Sequence, residues 1–170
     1  MQSYSQCKQD LYVLEKLNNK QNGFYIEIGA YHPTDISNTY VLEKYNNWNG
    51  ISFEASQDLP YKWSPTRANK LITCDATKYD FKKCFEQNSV PLVIDYLSLD
   101  IDEATLPCLQ RLPLNDYKFR VITLEHDEYS SGPHKKNVMR EILFSHGYIL
   151  DRPDVANDGL MYEDWWIYPV

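Results

Sequence analysis

Five segments of this sequence close an apolar run with a carboxylate: Glu27-Ile28-Gly29-Ala30, Glu54-Ala55, Cys74-Asp75-Ala76, Asp100-Ile101-Asp102 and Glu125-His126-Asp127. Ionised carboxylates only accept hydrogen bonds, so a site rimmed by them favours a ligand that is positively charged or rich in hydroxyls. Asp100, His126 and Asp127 are candidates for proton removal, and His126 has the unperturbed pKa best suited to it, ~6.5. Asp100, Asp102, His126 and Asp127 also form a set that could hold Mg²⁺ or Mn²⁺. A phosphate site would need glycine-freed amides or the G-x-x-x-x-G-K-[ST] arrangement, and neither is present.

The elements that must position these acids alternate between short apolar strands and helical patterns, which is the signature of a parallel sheet covered on both faces. Seven strands are expected: 24–29, 51–54, 70–74, 92–99, 120–125, 148–150 and 165–168. Helices are expected over 8–18, 37–45, 81–87, 103–112 and 134–146, the fourth starting nearer Thr105 so that Pro107 falls in its first turn. Pro60 and Pro65 leave 56–69 undecided between helix and loop. Residues 130–133 read as loop, and 151–164 as a polar connection with the turn Asn157-Asp158-Gly159 inside it. No repeat or linker divides the chain, so one domain over 1–170 is expected.

In such a sheet a ligand binds outside the carboxyl ends of the strands, where the strand order reverses. Only the first glycine of the dinucleotide fingerprint G-x-G-x-x-G is present, as Gly29. Glu54 can accept two hydrogen bonds from the vicinal hydroxyls of a ribose. An adenosine without a pyrophosphate suits these features, and S-adenosylmethionine (SAM) is one, with an ammonium and a sulfonium on its methionine tail.

Composition narrows the classes further. The net charge of −7 leaves no broad basic surface for nucleic acid. No apolar run approaches the ~20 residues of a membrane span, and the polar start MQSYSQCKQD does not read as a signal peptide. Cys7, Cys74, Cys84 and Cys108 contain no C-x-x-C pair, so reduced thiols and a cytoplasmic location are expected.

Phe24 to Ala55, FYIEIGAYHPTDISNTYVLEKYNNWNGISFEA, resembles the opening of the FkbM-type SAM-dependent methyltransferases: a strand, E-I-G-A, then S-N-T, then W-x-G-I-x-x-E. Further similarity lies in IDYLSLDID (94–102), VITLEHD (121–127) and Glu163-Asp164-Trp165-Trp166. His32-Pro33 stands where many relatives have Asp-Gly, and Asp102-Glu103-Ala104-Thr105 where they often have Glu-Gly-Ala-Glu.

The resemblance implies an α/β fold, a three-layer α/β/α sandwich whose seven-stranded, mostly parallel Rossmann-like sheet has an antiparallel last strand. It implies that Glu27, Gly29 and Ala30, with Tyr31 beside them, cradle the methionine tail. Glu54 and Ala55 would hold the ribose, Asp75 and Ala76 would meet the adenine, and Asn38 and Thr39 would open the helix over the site. Asp100 would face the reacting methyl.

The activity implied is O-methyl transfer to a hydroxyl, with a sugar or glycan as acceptor. With little chain left for a substrate domain, the acceptor would be small or bound across a homodimer interface. Two rivals are an adenosyl-ligand-binding module without catalysis and a metal-dependent hydrolase using Asp100, Asp102 and His126. The plainer alternatives are a solvated strand-end acid for Glu54, a helix N-cap role in the Thr77 region for Asp75, core packing for Trp165 and Trp166, and surface or cap roles for His32, His134 and His146.

Overall fold

The computed structural model describes residues 2–169, and all seven of its strands join one sheet. In chain order the elements are α1 (Gln9–Lys16), β1 (Phe24–Ile28), α2 (Tyr40–Asn46), β2 (Asn49–Glu54), α3 (Leu59–Trp63), β3 (Lys70–Thr73), α4 (Phe81–Gln87) and β4 (Val93–Leu99). There follow α5 (Thr105–Leu109), entered through a 3₁₀ turn at Asp102–Ala104, then β5 (Lys118–Glu125), α6 (Glu128–Ser131), α7 (Pro133–Ser145), β6 (Ile149–Asn157) and β7 (Leu160–Ile167).

The strand order is β3-β2-β1-β4-β5-β7-β6. The five strands from β3 to β5 are parallel, and β7 runs antiparallel to both β5 and β6. After β1 the chain builds outward through β2 and β3, then returns to lay β4 on the other side of β1. That reversal opens a crevice above the carboxyl ends of β1 and β4.

The two faces of the sheet differ in chemistry because side chains alternate along each strand. Ile26, Ile28, Phe53, Leu97, Leu99 and Ile122 belong to the larger apolar core, with Phe81 and Phe85 of α4, Leu109 of α5 and Met139 and Leu143 of α7. Tyr25, Tyr96, Val121 and Trp165 belong to a second core with Tyr12, Val13, Val41 and Leu42 of α1 and α2. Between these aromatics the second face buries a polar row in strand register, Ser52–Glu27–Ser98–Thr123.

Three segments depart from the expected elements. Residues 151–164 are mostly strand: β6 and β7 form a long hairpin turned by Asp158 and Gly159, both at positive φ (49° and 80°). A polar strand is tolerated there because its acids have cationic partners, with Asp151 bound by Lys16 and Asp154 and Asp164 by Arg140. Within 56–69 a short helix forms with Pro60 in its first turn, where proline's missing N–H costs nothing, and it stops before Pro65. Glu128–Ser131, overlapping the expected 130–133 loop, is one helical turn. Among the described residues no helix is long and apolar enough to cross a membrane, and all four cysteines are free thiols.

Gly29 follows β1 at a φ of +94°, and a Cβ there would lie 1.8 Å from the carbonyl oxygen of Asp100. The glycine is therefore required by the close approach of two strand ends, before any ligand is considered. Gly29→Ala is expected to lower stability by roughly 2–5 kcal/mol from positive-φ strain plus overpacking. Urea denaturation measures it, and a loss below ~1 kcal/mol would contradict the stated contact.

Candidate functional site

The crevice has a volume of about 590 Å³, within the range of small-molecule sites. Its floor is the turn out of β1, Ile28-Gly29, with Phe53 of β2 beside it. At the end of β2 the Glu54 carboxylate lines the crevice, its Oε2 accepting Tyr31 N–H at 2.9 Å and its Oε1 accepting Ser56 N–H at 2.9 Å. Each oxygen keeps acceptor capacity, and among the described residues no ion pair consumes the charge.

Ala55, Cys74 and Ala76 give the next stretch of wall little polarity. Asp75 lies there too, but its Oδ1 accepts the Thr77 N–H at 3.0 Å and the Thr77 hydroxyl at 2.6 Å, while its Oδ2 pairs with Lys78 at 2.8 Å. Lys78 first, then Thr77, hold its pKa down to about 2. Asp75 thus closes a turn onto Thr77 and also has a place at the crevice.

The opposite wall comes from the segment between β1 and α2. Tyr31 and Ile36 stand in it at φ 50° and 55°, and both are exposed at the mouth. Asn38 is buried; its Nδ2 donates to Ser98 Oγ at 2.9 Å, and its Oδ1 has no partner among the described residues.

The acid end is formed by Asp100 and Asp102 after β4 and by Glu125 at the end of β5, with Tyr129 and Tyr162 alongside, their ring centroids 5.1 Å apart. Burial, and then the neighbouring Asp100 charge, push Glu125 up to about 10. Burial also raises Asp100, against a hydrogen bond with Glu125. Each carboxylate disfavours the other's charge, so both are pushed toward the protonated form. Its Oε2 accepts the Asp102 N–H at 2.7 Å.

Gly29, Tyr31, Asn38, Glu54, Ala55, Asp75, Ala76 and Asp100, all singled out from the sequence for the cofactor, therefore converge on one crevice. Glu27, Ala30 and Thr39 do not. Glu27 is buried behind the wall, its Oε1 accepting Thr39 Oγ1–H at 2.9 Å and its Oε2 accepting Ser52 Oγ–H at 2.6 Å, which corrects its expected place at a methionine tail. Ala30 packs with Leu59 and Trp63.

His126 is also corrected as a base. It is fully buried and turned toward the hairpin: Nδ1 accepts Glu128 N–H at 3.2 Å, and Nε2 lies 3.7 Å from Asp154 and 3.8 Å from Asp164. Burial lowers its pKa. Lys136 and Arg140 already bind those two acids.

Asp127 is buried and does not line the crevice; its Oδ2 is 3.7 Å from Lys135 Nζ. The expected cation set, Asp100, Asp102, His126 and Asp127, consequently does not assemble, and the hydrolase built on it loses its histidine. Asp102, Glu125 and Asp127 do bring oxygens within 4.8 Å of one another. Lys135 supplies the positive charge there, also donating to the Asp102 carbonyl at 3.1 Å, so these residues fit a metal ion poorly.

No family model matches the chain, and no curated protein matches it. Among solved structures, a protein from Klebsiella pneumoniae assigned as an O-methyltransferase has a TM-score of 0.64 at 12% identity, over 95% of this chain and 80% of that one. A methyltransferase from Pyrococcus furiosus gives 0.56 at 11%, over 95% and 83%. Aeropyrum pernix fibrillarin, solved with natively bound S-adenosyl-L-methionine, gives 0.55 at 12%, over 89% and 67%. The fold is that of the class I methyltransferases. Identity this low establishes the shared architecture, and activity must be argued from the site.

Glu125, Tyr129 and Tyr162 are among the lining residues not assigned a role from the sequence. Glu125 stands at a strand end in the sequence, next to His126, whose ordinary pKa lies nearer neutrality. Tyr162 lies within the segment read as a connection; the Asn157-Asp158-Gly159 turn between two β-forming stretches was the available hairpin signal.

A carboxyl neutral up to about 10 in the fold but ionising near 4.5 when unfolded means that the folded state binds more protons between those values. Stability then falls as pH rises through that window, and Glu163, pushed up to about 8, adds to the same trend. Between about pH 6 and about pH 9 the melting temperature should fall, and Glu125→Gln, which mimics the protonated acid, should remove part of that slope in scanning calorimetry. An unchanged slope would show that Glu125 is ionised in the fold.

Proposed function

We propose that this protein is a SAM-dependent methyltransferase transferring a methyl group to a hydroxyl, with a sugar or glycan as acceptor. The observation that carries the reading is the crevice at the β1/β4 reversal, which presents a free carboxylate at the β2 end and a second acid cluster across from it, without a phosphate cradle.

In this reading Glu54 accepts the two ribose hydroxyls, and the apolar wall of Phe53, Cys74 and Ala76 takes the adenine. The unpartnered Asn38 Oδ1 accepts from the ammonium. The methyl then points toward Asp100, Glu125, Tyr129 and Tyr162. Aromatic faces and carboxylates side by side suit a sugar, whose C–H face packs on a ring while its hydroxyls donate to the acids.

Transfer is an in-line displacement: the acceptor oxygen forms a bond to the methyl carbon as the carbon–sulfur bond breaks, and sulfur leaves with the electron pair as a thioether. Holding the three atoms in line can supply ~7–11 kcal/mol of the barrier. Asp100 receives the hydroxyl proton, with Glu125 beside it at the acid end. The FkbM-like motifs support this reading, and either a small acceptor or a homodimer that completes the acceptor side fits it.

Isothermal titration with SAM and S-adenosylhomocysteine tests the cofactor. Binding is expected, and Glu54→Ala should weaken it by ~1.5–3 kcal/mol, about 10- to 150-fold. Absence of binding by the wild type would overturn the reading, and an unchanged dissociation constant in the variant would remove the ribose role. Asp100→Asn should cut methyl transfer to a glycan acceptor by ~10²-fold or more while leaving S-adenosylhomocysteine affinity nearly intact. Equal losses would make Asp100 a binding residue.

A further inference from the structure

Arg67 lies in the connection between α3 and β3, outside the crevice, and is only 4% exposed. All five of its N–H groups are engaged. Nε donates to Glu43 Oε2 at 2.7 Å; Nη1 donates to the Pro33 carbonyl at 3.0 Å and Ser37 Oγ at 3.3 Å; Nη2 donates to Tyr25 OH at 2.9 Å and Thr39 Oγ1 at 2.8 Å. Its guanidinium also lies over the Trp63 ring, 4.4 Å from the centroid.

Three of those acceptors, on Pro33, Ser37 and Thr39, belong to the segment that carries Tyr31, Ile36 and Asn38 to the crevice. That segment contains two non-glycine residues in the left-handed region, one of them the β-branched Ile36. Such conformations persist only where the surroundings over-determine them. Glu54 holds the segment at Tyr31 N–H, and Arg67 holds it from the other side.

From this geometry we infer that Arg67 is a positioning residue, which keeps the 31–39 segment in the conformation that places Asn38 and Glu54 for the adenosyl ligand. The inference rests on the proposed SAM site for its functional consequence, whereas the holding of the segment stands on its own contacts. Lysine at this position could not reproduce the fork that reaches Pro33, Ser37 and Thr39 at once.

Hydrogen exchange and S-adenosylhomocysteine titration of the whole chain test it. Arg67→Lys should speed amide exchange across 31–39 with β1 and β4 protection unchanged, and should weaken S-adenosylhomocysteine binding at least tenfold. In Arg67→Ala, millimolar ethylguanidinium should restore affinity, and ethylammonium should not. A folded variant with wild-type exchange in 31–39, or with wild-type affinity, overturns the inference.

Should neither Arg67 variant fold, Ser37→Ala and Tyr25→Phe each remove one acceptor, on the segment and on the sheet respectively. Ser37 Oγ also accepts the Thr39 and Tyr40 N–H groups, so the readout is 31–36: positioning predicts faster exchange there in Ser37→Ala alone, and equal effects in both would reduce Arg67 to a general stabilising role. If the wild type binds no S-adenosylhomocysteine, the SAM reading fails, and the exchange data still decide whether Arg67 holds the segment.

Discussion

A buried relay of charge and hydroxyls governs the crevice side of this protein: Arg67 donates to Thr39, Thr39 donates to Glu27, and Ser52 donates to the same carboxylate. Burial raises Glu27, while Arg67, Ser52 and Thr39 each favour its charged form. An unpaired carboxylate in this position would cost several kcal/mol, so Glu27 draws its partners toward it. The relay ties β1, β2, the start of α2 and the lead-in to β3 into one arrangement, and the turn that walls the crevice is part of it.

The sheet divides its work between its faces. The face under α4, α5 and α7 is closely packed and apolar, and it supplies most of the burial that makes the fold stable. The face under α1 and α2 alternates aromatic residues with the row Ser52–Glu27–Ser98–Thr123 and supplies direction. Asn38 reaches the crevice because Ser98 accepts from it, and Tyr96 is tied to Thr123 at 2.7 Å. Polar contacts of this kind are specific in geometry where apolar packing is only specific in volume.

At the acid end, two adjacent strand ends deliver carboxylates that must compete for a proton, and that competition sets the chemistry of the site. Burial and the neighbouring charge raise both Glu125 and Asp100 above the ordinary carboxylate range. His126, one residue further, leaves the strand on the opposite side and joins the ionic cluster that binds the hairpin to α7. A step of one residue along a strand reverses the direction of the side chain, and here it separates a crevice acid from a structural imidazole.

Much of the fold was legible in the chain itself. Apolar runs bounded by Gly, Asn and Asp marked the first five strands and α4 because strand burial and turn chemistry are local properties. The strand-end acids pointed to the crevice because parallel strands all deliver their carboxyl ends to the same edge of the sheet. The full length of the β6–β7 hairpin was not legible, since its polar residues gain their partners, Lys16 and Arg140, from other elements, although the Asn157-Asp158-Gly159 turn marked where the chain reverses. Nor could the chain alone show that Glu27 faces Thr39 and Ser52, that His126 turns away, or that burial raises Glu125. Those outcomes depend on which side chains meet across strands and on how far burial strips water from them, and only tertiary packing decides either.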